Sequence, residues 1–185
     1  MTRRYVSRTL VGGLVAAIAA AGAFGPGACP AAAQAALLVG GGGVAGNQIP
    51  NAAHVGSLGY NALVGIGFDL PFIPLAFRVD GQFDQWASPA GLYRFRVLSG
   101  TANVVYFIPT AVLQPYVVAG TGYYHLIPRR NGIDTPSNGL GVNAGVGVKA
   151  GLGALGVFGE WRYHYIPNTG AGHTSYAPFT FGVSF

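Results

Sequence analysis

The stretch that most restricts the fold of this chain is its last ten residues. From Tyr176 onward Phe179, Phe181, Val183 and Phe185 alternate with Thr180, Gly182 and Ser184, and the sequence stops on an aromatic. A period of two puts the first set on one face of an extended strand and the small or polar set on the other. The alternation recurs upstream. Between Tyr60 and Leu70 every even position is apolar or aromatic, against Asn61, Gly65, Gly67 and Asp69. Leu75, Phe77, Val79 and Phe83 oppose Arg78, Asp80, Gln82 and Asp84. Val142, Ala144, Val146, Val148 and Ala150 oppose a face of glycines with Asn143 and Lys149. Leu155, Val157, Trp161, Tyr163 and Tyr165 oppose Gly156, Glu160, Arg162 and His164.

Such ribbons can turn either face inward. Only 8% of the residues are charged and 51% are apolar, lean in charge for a water-soluble domain. Beyond the N-terminus no apolar run approaches the ~20 residues of a membrane helix. Glycines weaken a solvent-facing strand, whereas a narrow lumen needs small residues to admit long side chains from across. The apolar faces are therefore expected to meet lipid and the polar faces to line an interior. The expectation is an all-β, eight-stranded antiparallel up-and-down transmembrane β-barrel spanning residues 36–185, both termini at one end. Tight links at 71–74, around Pro109-Thr110 and at 151–154 alternate with longer ones at 46–58, 86–92, 128–138 and 167–175.

Two stretches are less regular. Within Tyr93 to Phe107, Arg94 and Arg96 fall on the apolar phase, which implies a bulge near Val97 or an end that rises above the membrane. Residues 111–127 have no polar phase and give no orientation. The topology also sorts aromatics into two interfacial girdles: Tyr60, Trp86, Tyr93, Tyr124, Tyr165 and Tyr176 at the outer rim, and Phe68, Phe72, Tyr106, Phe107 and Phe185 at the other.

Residues 1–35 have the form of a cleavable signal peptide: Arg3, Arg4 and Arg8, an apolar stretch from Leu10 to Phe24, then Ala33-Gln34-Ala35 as a small-x-small cleavage site. The start partly resembles a twin-arginine export motif, but that route carries folded cargo. Cys29 resembles a lipidated cysteine only weakly, because Pro26 stands where that pattern has Leu. Without the leader, seven basic residues face five acidic ones with no basic run, which argues against nucleic acid, and no thiol remains. Gly41 to Gly46 has the spacing of a dinucleotide-binding loop, but that motif requires a following helix, and Asn47-Gln48-Ile49-Pro50-Asn51 reads as loop. A glycine-rich first strand is expected there.

The final strand resembles the terminal strand of bacterial outer-membrane barrels, which the barrel-assembly machinery reads by its C-terminal aromatic and by apolar residues two, four and six positions upstream. Here these are Phe185, Val183, Phe181 and Phe179. Residues 36–185 further resemble the small outer-membrane β-barrel family that includes the transmembrane domain of outer-membrane protein A, through Pro115-Tyr116-Val117-Val118-Ala119-Gly120-Thr121-Gly122-Tyr123 and Glu160-Trp161-Arg162-Tyr163-His164. That resemblance implies export to the outer membrane and contact with its lipid and lipopolysaccharide; a monomer is expected, although the sequence does not settle the oligomeric state. It implies no activity.

The strand phases turn Arg78, Lys149 and Arg162 inward with Asp80, Asp84 and Glu160, three charges of each sign. Balanced charge suits a closing network; a selective pore favours one sign. A structural or surface-interaction protein is expected, with a narrow porin-like channel as the alternative and a lipid A-modifying enzyme as a third class. The glycines at 65, 67, 141, 145 and 147 leave open whether the lumen has unfilled volume. For catalysis Glu160, His164, His173 and Ser175 come to mind, yet the first two point inward and the last two fall in a loop, so no catalytic group is assigned. His54 and His125 are isolated, and neither a metal nor a cofactor is expected. Arg94, Arg96, Arg129 and Arg130 should lie at or above the outer rim, as a solvated basic loop or as contacts to lipopolysaccharide phosphates.

Overall fold

The computed structural model of the protein describes residues 34–48, 58–87, 93–110, 113–152, 155–167 and 172–185. They form β1 (Gln34–Gln48), β2 (Leu58–Asp69), β3 (Leu75–Ala87), β4 (Tyr93–Phe107), β5 (Leu113–Arg130), the two-residue β6 (Ile133–Asp134), β7 (Ser137–Leu152), β8 (Leu155–Ile166) and β9 (Thr174–Ser184). Neighbours run β4-β3-β2-β1-β9-β8-β7-β5, and β5 pairs back onto β4. Eight long antiparallel strands thus close into a barrel, with β6 attached to β5 alone. The start of β1 and the C-terminal residue meet at one end, where Leu37 N–H donates to Phe185 O (3.2 Å) and Phe185 N–H to Leu37 O (2.9 Å). The expected leader and Cys29 lie outside the described residues, as does His54, but Gln34 and Ala35 already pair with Asp69 and Phe68.

The faces follow the alternation. Phe77, Val79, Val146, Val157, Trp161, Phe179 and Phe181 are exposed on the outer wall, while Arg78, Asp80, Glu160, Arg162 and His164 are buried inside. Strand β5, which the sequence could not orient, turns Tyr116, Val118, Tyr124 and Leu126 inward and Val117 and Tyr123 outward. Both its faces are apolar because its inner face joins an apolar cluster at each end of the lumen.

No bulge interrupts β4. Its register is continuous against β3 from Leu75↔Tyr106 to Ala87↔Arg94 and against β5 from Tyr93↔Arg130 to Phe107↔Tyr116. Phe95 and Val97 point inward, so Arg94 and Arg96 point outward, and the polarity of the wall inverts at this end. Strand length supplies the reason. Crossing a bilayer takes ~9–11 tilted residues, whereas β4, β5 and β7 have 15, 18 and 16. The surplus carries the wall beyond hydrocarbon, where the outside is polar and the interior is apolar.

That inversion corrects the outer girdle. Trp86, Tyr124 and Tyr176 turn inward with Val44, Phe95, Val97, Leu126 and Ile166 to form one buried cluster. The Trp86 and Tyr176 rings meet edge to face at 5.2 Å. Tyr60 and Tyr165 remain outside, and the Tyr93 side chain lies outside the described set. At the other end Phe68, Phe72, Tyr106 and Phe185 are exposed, but Phe107 packs on the inner cluster of Ala76, Val105, Tyr116 and Val118. The expected loop at 128–138 is also mostly strand. β5 runs to Arg130, which pairs with Ile133 across Asn131 (φ 49°) and Gly132 (φ 84°), two positive values that fit a type I′ hairpin turn.

Inward glycines let neighbouring walls come together. Because Gly42 presents no side chain, Asn61 of β2 reaches over β1, donating to Gly43 O (2.9 Å) and to Phe179 O of β9 (3.1 Å) and accepting from Thr180 Oγ1 (3.1 Å). A Cβ at Gly42 would fall 2.0 Å from Phe179 O, a backbone atom that cannot yield. Gly42→Ala should therefore cost about 1–3 kcal/mol in urea unfolding of the micelle-refolded protein. Outward Gly100, with nothing within 4 Å of its would-be Cβ, should tolerate alanine to within about 0.5 kcal/mol. Equal effects at the two positions would refute this account.

Candidate functional site

In the strand order β3 and β8 lie four steps apart, on opposite walls of the barrel. Both carry a charged pair with i, i+2 spacing, which puts Arg78 with Asp80 and Glu160 with Arg162 on the inner face. The four meet across the lumen. Arg78 Nη2 donates to Glu160 Oε2 (2.6 Å) and Arg162 Nη2 to Asp80 Oδ2 (3.0 Å), both from wall to wall. Along each strand Arg78 Nε donates to Asp80 Oδ2 (3.0 Å) and Arg162 Nε to Glu160 Oε1 (2.9 Å), with a further close contact from Arg162 Nη2 to Glu160 Oε1. Neutral donors from two more strands join: Asn103 Nδ2 to Asp80 Oδ2 (2.9 Å) and Tyr116 OH to Glu160 Oε2 (3.0 Å).

The other two predicted lumen charges stand apart. Asp84 is fully buried two inward positions beyond Asp80 along β3 and accepts from Gln82 Nε2 (2.9 and 3.1 Å). Lys149 has no ion pair among the described residues; it lines a cavity of about 30 Å³ at the end where β1 begins and β9 ends, with Arg78, Asp69 and Tyr116. That volume holds one or two waters. Elsewhere the glycine face is filled by partners: a Cβ would strike Asp80 Oδ1 from Gly65, the Tyr116 ring from Gly147, Tyr124 from Gly141, and the Arg162 backbone and side chain from Gly145. Gly67, which borders the cavity, is the exception.

Above the ionic layer Tyr124 OH and His164 Nδ1 lie 2.9 Å apart, and the His164 ring stacks on Tyr176 with centroids at 4.7 Å. His164 and Glu160 are thus held among interior partners. Ser175, expected in a loop, is buried within β9 opposite Tyr165, while His173 is exposed and tilts against the Tyr165 ring. The four residues do not form a triad. His125 Nδ1 contacts Asn138 Oδ1 at 2.5 Å on the outer wall.

Of the four rim arginines, three share the outer face of β4 and β5: Arg94 stands directly opposite Arg129, and Arg96 follows two residues along β4 opposite Ile127. Arg130 falls on the other phase at the hairpin tip. Phe179, Phe181, Val183 and Phe185 all lie on the outer phase of β9 and its terminus. Sequence reasoning missed Asn103 and Tyr116 as members of the ionic layer. The inward phase of β4 pointed to Asn103, but nothing local marked Tyr116, because its stretch is apolar on both faces.

No protein-family model matches this sequence, and no curated protein sequence matches it. Solved structures do. Neisserial surface protein A (NspA) superimposes with a TM-score of 0.68 at 17% identity, covering 81% of this chain and 95% of that one. The N-terminal β-barrel domain of Pseudomonas aeruginosa OprF gives 0.55 at 13% identity, covering 83% and 99%. Ail, the attachment invasion locus protein of Yersinia pestis, solved with the heparin analogue sucrose octasulfate, gives 0.50 at 13% identity over the same shares. At such identities the likeness speaks for architecture alone: the chain has the closed, eight-stranded antiparallel barrel fold that these small bacterial outer-membrane proteins share.

Proposed function

We propose that the protein is an exported, non-enzymatic barrel of the bacterial outer membrane, acting in structure or surface interaction with its lumen closed to solutes. The observation that carries this reading is the ionic layer joining opposite walls at 2.6 and 3.0 Å. Buried charges cost several kilocalories per mole each unless paired. Within the layer each guanidinium meets two carboxylates and each carboxylate two guanidiniums, so its four charges neutralise one another, and of the predicted lumen charges only Asp84 and Lys149 stand outside it. The apolar cluster around Trp86 and Tyr176 adds a second closure at the outer end.

The barrel fold supports an outer-membrane location, and the outward Phe179, Phe181, Val183 and Phe185 suit reading by the assembly machinery. Two of the similar proteins are described by surface position or attachment, which fits an outward-looking role. A lipid-modifying enzyme would need an acid–base pair at the lipid-facing rim, whereas Glu160 and His164 are held inside by Arg78, Arg162 and Tyr124.

Planar-bilayer recording of heat-modifiable, refolded protein should be silent. Discrete, reproducible steps would move the assignment to a narrow channel. Arg162→Met should lower unfolding stability by about 3–5 kcal/mol, because it leaves Asp80 and Glu160 short of a buried partner. An unchanged urea midpoint together with unchanged silence would sink the closing role of the network.

A further inference from the structure

We propose that Arg94, Arg96 and Arg129 form a clamp on the outer wall for one phosphate of an outer-leaflet lipid headgroup, with Asp134 as a built-in competitor for Arg129. The proposal rests on the outer-membrane reading proposed above, taken with the C-terminus and the start of β1 on the periplasmic side. Arg94 and Arg129 are directly opposed across the β4–β5 pair. Their alternation phase puts both on the outward face. Like charges in that position destabilise a strand pair, and neither residue contributes to an internal cluster that could compensate. An anion bridging the two converts the repulsion into a site. Arg96 lies diagonally beside them, and its Nε is shut off from solvent with no hydrogen-bond partner. Neither Arg94 nor Arg96 has an ion pair among the described residues. The counter-charge at hand is Asp134, 3.7 Å from Arg129 with both side chains half-exposed, a geometry that binds weakly.

The level of the patch favours lipid over a soluble anion. Immediately nearer the membrane the same wall exposes Leu98, Tyr123, Leu140 and Val142, with Tyr123 cross-strand from Leu140. An acyl chain laid on that band puts its headgroup at the arginines. Planar guanidinium forks match the oxygens of a phosphate two at a time. Arg130, on the opposite phase, lies outside the clamp.

The test is native mass spectrometry of the refolded full barrel titrated with diphosphorylated lipid A, with dephosphorylated lipid A as control. Arg94→Gln and Arg129→Gln should each weaken binding about tenfold, the loss of one charge-assisted contact. Asp134→Asn should tighten it, by up to about fivefold, a gain that misfolding cannot mimic. Arg130→Gln should change nothing, and the dephosphorylated lipid should not distinguish the variants. The clamp is refuted if Arg130→Gln matches Arg94→Gln, if Asp134→Asn has no effect, or if the dephosphorylated lipid reproduces the ranking. Displacement of the lipid by an equal concentration of inorganic pyrophosphate would assign the site to soluble anions and overturn the lipid proposal. A protein that shows no heat-modifiable form would overturn the barrel reading itself, whereas a folded barrel whose variants bind alike removes the clamp alone.

Discussion

Hydrocarbon offers no partner to a backbone N–H or C=O, so a sheet that crosses a membrane has to pair every strand on both sides. In this chain that requirement is met by the β4–β5 ladder, which closes the eight long strands into a ring. Most of what is unusual in the sequence follows from closing so few strands. The lumen of such a ring is about as wide as the side chains that fill it, so a large inward residue needs a small neighbour. Gly147 beside Tyr116 and Gly65 beside Asp80 are two such pairs. The glycine tract of β1 serves the same end, letting Asn61 stitch β2 to β9 over a strand that contributes no bulk at Gly42.

The ionic layer answers a question that alternation leaves open. Slipping a strand pair by one residue turns its apolar face into the lumen and is strongly disfavoured. A slip of two residues keeps every face correct and is invisible to the pattern. Across this lumen, however, a two-residue shift of β8 would put Arg78 opposite Arg162 or Phe158 instead of Glu160. An apolar filling would have packed at lower desolvation cost. The charges add a term that tells registers apart, summed over the four ladders between opposite walls, and the neutral bonds from Asn103 and Tyr116 tie two more strands to the same choice.

Much of this was legible in the sequence because a period of two survives any local detail. Phe77 and Val79 against Arg78 and Asp80 read correctly, and so did Trp161 against Glu160 and Arg162. What failed did so where the sense of the alternation changes. Trp86, Tyr124 and Tyr176 were expected at a lipid-facing girdle because aromatics near strand ends usually sit there; they turn inward because the wall at that height has left the bilayer. Arg94 and Arg96 carried that message, and β4 needed no bulge to deliver it. The hairpin at Asn131-Gly132 read as part of a longer loop at 128–138, because the turn was weighed by the length of the link and not by its two turn residues. That Arg78 joins an inward charge network was readable, but its pairing with Glu160 was not, because residues on opposite walls leave no mark on each other's local pattern.

The interior and the exterior divide the available chemistry unevenly. Inside, Arg78, Asp80, Glu160 and Arg162 pair with one another, His164 is engaged by Tyr124 and Tyr176, and the outer end is filled by apolar rings. Outside, the membrane band is greasy and featureless. Among the described residues the outward charges concentrate where β4 and β5 rise above it, at Arg94 and Arg96, which have no ion pair, and at Arg129, which pairs with the exposed carboxylate of Asp134. The length that makes β5 the longest strand also makes this region. A strand cut to the bilayer would end before Arg129 and Asp134, and the barrel would keep its closed core while losing its only outward cluster of charge among the described residues.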